Sequence, residues 1–303
     1  MLRAALLGAA NNESMARFVM AHGRRFGAYR FVAGETFEQF MRAVAATNAA
    51  GMRVAAGLLG EDVSTVADAR AVAAQYCGML ERFAAQRADA NVALKLTHLG
   101  LLIDSDLARE NVAKVIAAAG RHGNFVRMDM EQSACVQPTL DIYRALRADG
   151  LDNIGIVLQS YLYRSRSDFD ALLHLRPSIR IVKGAYLEPA SVAYPRKRDV
   201  DRNYVALMEA SLSSGGFTAI ATHDEAIVQH AIEFIQRNDI AADRFEFQML
   251  YGVRPRLQQW LVARGFGVRI AVPFGAQWYP YFMRRLAERP ANLMFFLSSM
   301  WRA

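Results

Sequence analysis

Two arginines stand side by side near the C-terminus, Arg284 and Arg285 in "YPYFMRRLAERPAN", with Glu288 within one helical turn of both. A guanidinium presents a planar fork of N–H donors that fits a carboxylate, and paired forks out of water hold an anion far more tightly than a surface pair does. Glu288, at helical spacing, can orient one of them. Further cations stand at Lys95 in "LKLTH" and at Arg180 and Lys183 in "IRIVKGAY". Among them lie Asp129 and Glu131 in "RMDME", Thr222, His223 and Asp224 in "ATHDE", Thr97 and His98, and the amides Gln159 and Gln248. A metal centre needs several His and carboxylate ligands converging without a competing cation, so Lys95, Arg180 and Lys183 speak against one. The cations suit anionic ligands instead. Gly184 and Ala185 after Lys183 let the backbone come close to a bulky group, or simply form a tight turn.

These residues need elements to position them. Short β-branched runs alternate with longer amphipathic helical patterns about every 25 to 40 residues, the rhythm of strand-helix units. The runs are "MRVAAGLL", "NVALKLTH", "FVRMDME", "IGIVLQS", "IRIVKGAY", "FTAIATHD", "FEFQML" and "GVRIAVPF". Near-continuous apolar strands between helices predict a parallel sheet covered on both faces. Eight of them predict an α/β chain with a closed (βα)8 TIM barrel, with an open doubly wound sheet as the other arrangement of the same pattern. The polar residues fall at the ends of six strands, where such barrels collect their reactive groups. Residues 1–50 read as extra helices ahead of the barrel, and 1–303 as one domain.

The chain has 303 residues, is 53% hydrophobic and carries Lys+Arg 36 against Asp+Glu 29, a formal charge of +7. The basic residues are scattered without interleaved aromatics, which argues against nucleic-acid binding. An acidic small molecule, an anionic cofactor or an anionic membrane surface fits the charge. Cys77 and Cys135 have no metal-ligand spacing and suggest a reducing compartment. The apolar start is interrupted by Asn11 and Asn12 and reads as an amphipathic helix rather than a signal peptide.

Taken together, "LLGEDVST", "LKLTHLGL", "RMDME", "VLQSYLYRS", "IRIVKGAYLEP", "ATHDEAI", "FEFQMLYGVR" and "YPYFMRRLAERPAN" resemble flavin-dependent proline dehydrogenases of the monofunctional bacterial kind, over nearly the whole chain. The resemblance implies a distorted barrel that binds FAD noncovalently and carries its last helix over the barrel top. It implies that Arg284, Arg285 and Lys95 hold the substrate carboxylate, with Glu288 beside the arginines and Tyr186 near the substrate ring. Met130, through its backbone, and Gln159, Arg180, Lys183, Gly184, Ala185, Thr222 and His223 are implied to line the FAD. Arg180 is implied beside the flavin ring, where a cation stabilises the reduced form. Asp129 is implied to organise polar groups around the substrate.

The implied reaction is oxidation of L-proline to Δ1-pyrroline-5-carboxylate by hydride transfer from C5 to flavin N5. Electrons are then expected to pass to a membrane quinone, from a cytoplasmic protein peripheral to the inner face of the membrane. The next enzyme of the pathway, fused in some relatives, is expected to be absent. One residue departs from the pattern: Ala271 in "VRIAVPFG" stands where the family usually has tyrosine. The smaller side chain leaves room beside the substrate ring, so a substituted cyclic amino acid such as 4-hydroxyproline is the alternative substrate. Two other classes share parts of the pattern: a Schiff-base aldolase with Lys95 or Lys183 as nucleophile, and a non-catalytic flavin-binding relative.

Overall fold

Each of the eight apolar runs forms a short strand, in a computed structural model that describes residues 30–60, 62–279 and 281–283. The strands are β1 (Arg53–Leu58), β2 (Ala90–Leu94), β3 (Val126–Met128), β4 (Ile154–Gln159), β5 (Ser178–Val182), β6 (Phe217–Ala221), β7 (Phe245–Leu250) and β8 (Val268–Phe274). They pair in parallel in chain order, and β8 closes on β1. Closure decides for the barrel and against the open sheet. β2, β3 and β4 are buried along their whole length, as a sheet covered on both sides requires.

Several strands stop earlier than the sequence runs suggest. β2 ends at Leu94, β3 at Met128, β5 at Val182 and β6 at Ala221. Lys95, Asp129, Lys183, Thr222 and His223 therefore lie just past the strands, at the carboxyl-terminal opening. Thr97–Leu99 already forms a 3-10 turn, closed by Gly100 at φ +100°.

The helices between strands are α2 (Val66–Ala85), α3 (Ser105–Gly120), α4 (Ser133–Ala148), α5 (Ser165–Leu172), α6 (Lys197–Ser213), α7 (Glu225–Arg237) and α8 (Pro255–Ala263). Their starts follow local chemistry. Thr65 and Asp104 accept backbone N–H groups at the heads of α2 and α3, and Pro255 opens α8 where its missing N–H costs nothing.

Among the described residues one helix, α1 (Phe37–Ala49), precedes the barrel and packs against β8 and β1. Phe40 stacks on Phe274 with ring centroids 4.3 Å apart. α1 thus occupies the outer position that a helix following β8 would fill in a regular barrel, so the chain after β8 must go elsewhere. It turns helical at residue 278, where Trp278, Tyr279, Phe282 and Met283 cluster with Phe31 and Val32. Trp278 Nε1 donates to Glu35 Oε1 at 2.9 Å. The rest of the expected last helix, with Arg284, Arg285 and Glu288, lies outside the described residues, as do residues 1–29 of the N-terminal extension. No helix among the described residues is long and apolar enough to cross a membrane.

Candidate active site

A column of polar side chains runs up the inside of the barrel. At its foot Arg127 of β3 is buried and donates through Nη1 to the carbonyls of Ser178, at 2.6 Å, and Ile156, at 3.1 Å. Its Nη2 reaches Ser178 Oγ at 2.9 Å. Burial, with the charge of Arg180 adding to it, lowers the Arg127 pKa to about 9, so the group stays protonated at neutral pH. Gly155 on β4 makes room: a Cβ there would stand 2.3 Å from Arg127 Nη1.

Glu246 of β7 is 2% exposed and accepts from Arg269 Nε at 2.7 Å, with Arg53 Nη1 at 3.4 Å. Burial alone would raise its pKa. Arg269 and the hydrogen bond from Gln248 outweigh that, and the net shift is downward, so Glu246 is a buried carboxylate in its charged form. Gln248, one turn of the pleat above it, donates Nε2 to Glu246 Oε1 at 2.6 Å and accepts from Arg180 Nε, also at 2.6 Å. Arg180 Nη1 then donates to Asp129 Oδ1 at 2.6 Å. The guanidinium is gripped at two edges, and its Nη2 has no protein partner among the described residues. On β8 the helix-facing Val268, Ile270 and Val272 are buried, whereas the interior-facing Arg269 and Ala271 keep some exposure. Gly57, Ala221 and Leu250 are half-buried likewise, and Lys95 stands at the end of β2. The upper interior is therefore open, with small side chains on its wall and cations near its base.

A second charged group lies to one side. Lys183 Nζ contacts Asp201 Oδ1 at 2.5 Å and Asp224 Oδ2 at 2.9 Å. Lys197 joins the same two carboxylates, reaching Asp224 at 3.3 Å. Burial would raise the Asp224 pKa, but Lys183 and then Lys197 bring it down to about 2. Lys183, expected to meet a ligand anion, is thus already engaged by two carboxylates. Thr222 Oγ1 accepts from the Asp224 N–H at 3.1 Å. His223 Nε2 accepts from the Leu250 N–H at 2.9 Å, which ties the end of β6 to the end of β7 and leaves the neutral ring's proton on Nδ1.

Other polar strand-end residues brace loops. Glu131 accepts from Thr97 N at 3.0 Å and from Thr97 Oγ1 at 2.6 Å, and its carbonyl accepts from Gln159 Nε2 at 2.8 Å. Gln159 is buried in this contact, as is Met130 nearby. His98 is buried against Gly60. The loop after β5 carries Gly184, Ala185 and Tyr186, all half-buried. Gly184 sits at φ +112°, and a Cβ on it would fall 2.1 Å from the Tyr161 ring. Glu188 fastens this loop to the head of α4, accepting from Ser133 N and Ser133 Oγ, each at 2.6 Å.

The fold brings Asp129, Arg180, Lys95 and Ala271 to one opening, and sets Lys183, Thr222 and His223 on its β5–β6 side. Sequence reading missed Asp201 and Lys197 beside Lys183, and missed Glu246, Arg269 and Arg127 in the column. The sequence did carry a signal: Glu246 and Gln248 alternate along β7, and Arg127 and Asp129 do so in β3 and just past its end, a period of two on one face.

A family model described as "Proline dehydrogenase" matches residues 40–297. Proline dehydrogenase 1 of Bacillus subtilis (strain 168) is 38% identical over 300 residues, covering 99% of this chain and 99% of that protein. Proline dehydrogenase of Deinococcus radiodurans is 44% identical over 277 residues, covering 90% of this chain and 89% of that protein. Among solved structures, proline utilization A from Bdellovibrio bacteriovorus, inactivated by N-propargylglycine, superposes with a TM-score of 0.81 at 23% identity. That match covers 86% of this chain and 32% of the larger one, and it shows a shared fold.

Proposed function

The chain belongs to the proline dehydrogenase family, flavin-dependent oxidoreductases acting on a CH–NH donor, and from that premise we propose that its flavin is FAD and that Asp129, Arg180 and Lys95 face L-proline at the barrel opening. The observation that carries the reading is the Arg180 guanidinium, fixed between Asp129 and Gln248 at the base of an open barrel end. The whole chain, 1–303, is read as one barrel unit with 1–50 as a helical extension.

The residues present suit the cofactor. Arg180 offers a cation to an electron-rich ring, and Thr222, His223, Gln159 and the Met130 backbone offer polar contacts; Lys183, read as a pyrophosphate contact, would have to share its charge with Asp201 and Asp224. Gly184 and Ala185 keep the loop beside them thin. FAD, when bound, supplies the acceptor for the hydride that leaves proline C5. The protein's own work is positional. Lys95 is read as holding the substrate carboxylate together with Arg284 and Arg285, which lie outside the described residues, with Glu288 to orient one arginine and Tyr186 against the ring. Asp129 keeps Arg180 in place, and Arg180 keeps positive charge where electron density arrives.

Membership of the family supports proline as substrate. The substituted ring suggested by Ala271 gains no support from the relatives, and the aldolase and non-catalytic readings gain none either. Lys183 is bound up with Asp201 and Asp224 rather than standing as a free amine. Electrons are read as passing to a quinone at the inner membrane surface of the cytoplasm; the charge of +7 is compatible with contact at an anionic surface. Such contact is supported by Leu102 and Leu187, 58% and 62% exposed in the loops after β2 and β5 at the open end of the barrel. The two described thiols, Cys77 and Cys135, are unpaired in any disulfide, in keeping with a reducing compartment.

The test is anaerobic mixing of the FAD-loaded protein with L-proline. Loss of flavin absorbance, with Δ1-pyrroline-5-carboxylate formed in equal amount, is expected. A loaded protein that keeps its colour at saturating proline would overturn the assignment.

A further inference from the structure

We propose that Gln248 and Glu246 are positioning residues for the reaction: they hold the Arg180 guanidinium in one plane and one place without cancelling its charge. The inference rests on the flavin reading above. A carboxylate only accepts and a guanidinium only donates. Gln248 lies between one of each, with Nε2 2.6 Å from Glu246 and Oε1 2.6 Å from Arg180 Nε. Flipping the amide would set acceptor against acceptor and donor against donor, so its neighbours fix its orientation.

Glu246 is itself anchored. It accepts from Arg269 Nε at 2.7 Å, and Arg269 Nη1 donates to the Val54 carbonyl at 3.0 Å, on the backbone of β1. The chain of contacts therefore runs from β1 through β8 and β7 to Arg180 on β5 and Asp129 at the end of β3. Side-chain exposure is 2% at Glu246, 12% at Arg269 and 10% at Arg180, so water does little to screen it. In that setting the choice of residue at 248 matters. A glutamate there would grip Arg180 as firmly but would neutralise it. A neutral amide holds the fork and leaves its charge balanced by the partly exposed Asp129 alone. The charge then remains available to an electron-rich ligand in the open barrel end.

The test measures the two-electron midpoint potential of bound FAD, together with the rate of flavin reduction by proline. Gln248→Met keeps volume and loses both hydrogen bonds. Gln248→Glu keeps the contact and adds a negative charge. Each is expected to shift the reduction equilibrium tenfold or more toward oxidised flavin, about 30 mV for a two-electron couple, and to slow reduction at saturating proline. Ser211→Ala, which removes the buried bond to Thr218 away from the column, is expected to lower Tm while leaving the potential alone. In an Arg180→Met background, Gln248→Met is expected to shift the potential no further. The inference fails if both Gln248 variants take up FAD and match wild type within twofold in equilibrium and rate. It fails equally if Gln248→Met has the same effect with and without Arg180. A wild-type protein that takes up no FAD would sink the functional reading and this inference together, whereas wild-type reduction by proline with unmoved variants would sink this inference alone.

Discussion

Arg180 Nη1 and Asp129 Oδ1 stand 2.6 Å apart, joining β5 to the end of β3 across the barrel interior with β4 between them. The pair links two residues that the chain separates by 51 positions. Arg180 is nearly buried while Asp129 keeps about a third of its side-chain surface, 31%. The carboxylate is thus the partner that a ligand in the opening can reach.

Removing that carboxylate leaves a buried cation with one neutral acceptor. Asp129→Ala is expected to cut kcat/KM by roughly a hundredfold, about 2.7 kcal/mol. Asp129→Asn, which keeps an acceptor, is expected to lose less. Steady-state kinetics with FAD-saturated protein decides it, and near-wild-type efficiency in Asp129→Ala would show that the pair plays no part in turnover.

The arginine pair beyond the described residues is tested through activity. Arg284→Met and Arg285→Met are each expected to lower kcat/KM by about 30- to 5000-fold, for roughly 2–5 kcal/mol lost with one half of a desolvated charge pair. Lys95→Met is expected to behave alike. Soluble, flavin-loaded variants within threefold of wild type would remove the carboxylate clamp from the mechanism.

Gly184 combines φ +112° with a Cβ position 2.1 Å from the ring of buried Tyr161. Gly184→Ala meets both penalties, and a loss of about 2–4 kcal/mol is expected. Urea denaturation of the apoprotein measures it without reference to activity. A change under about 0.5 kcal/mol, ordinary for a surface substitution, would mean that the loop relaxes freely.

The pH dependence follows from Asp224, whose folded pKa is depressed to about 2 by Lys183 and Lys197 against the cost of burial. A depressed carboxylate contributes stability above its unfolded value, and that contribution is lost as pH falls from about 4 to about 2. Asp224→Asn is expected to cost on the order of 1 kcal/mol at pH 7, reduced by partial exposure, and to flatten the loss below pH 4. Denaturation curves at pH 7, 4 and 2.5 test the sign. An unchanged acid limb would mean that Asp201 alone holds the two lysines.

The sequence by itself determined the eight strands, the α/β class and the polar character of the strand ends. Those depend on local pattern: apolar runs of strand length and helical spacing between them. It also carried the family motifs, because "RMDME" and "IRIVKGAYLEP" are contiguous stretches. Only the tertiary structure decided which charges meet. Gln248 and Arg180 are 68 positions apart, and nothing local says that β5 and β7 flank β6 with these two side chains turned to one interior. The same holds for Lys183, which the sequence presents as a cation beside a glycine and the fold pairs with Asp201 and Asp224 from two other segments. It holds for Glu131, whose carboxylate looked available for chemistry and is taken up by Thr97. A strand's alternation gives the face on which a side chain lies, but its partner is set by closure of the barrel, which fixes the stagger of every strand against the others at once.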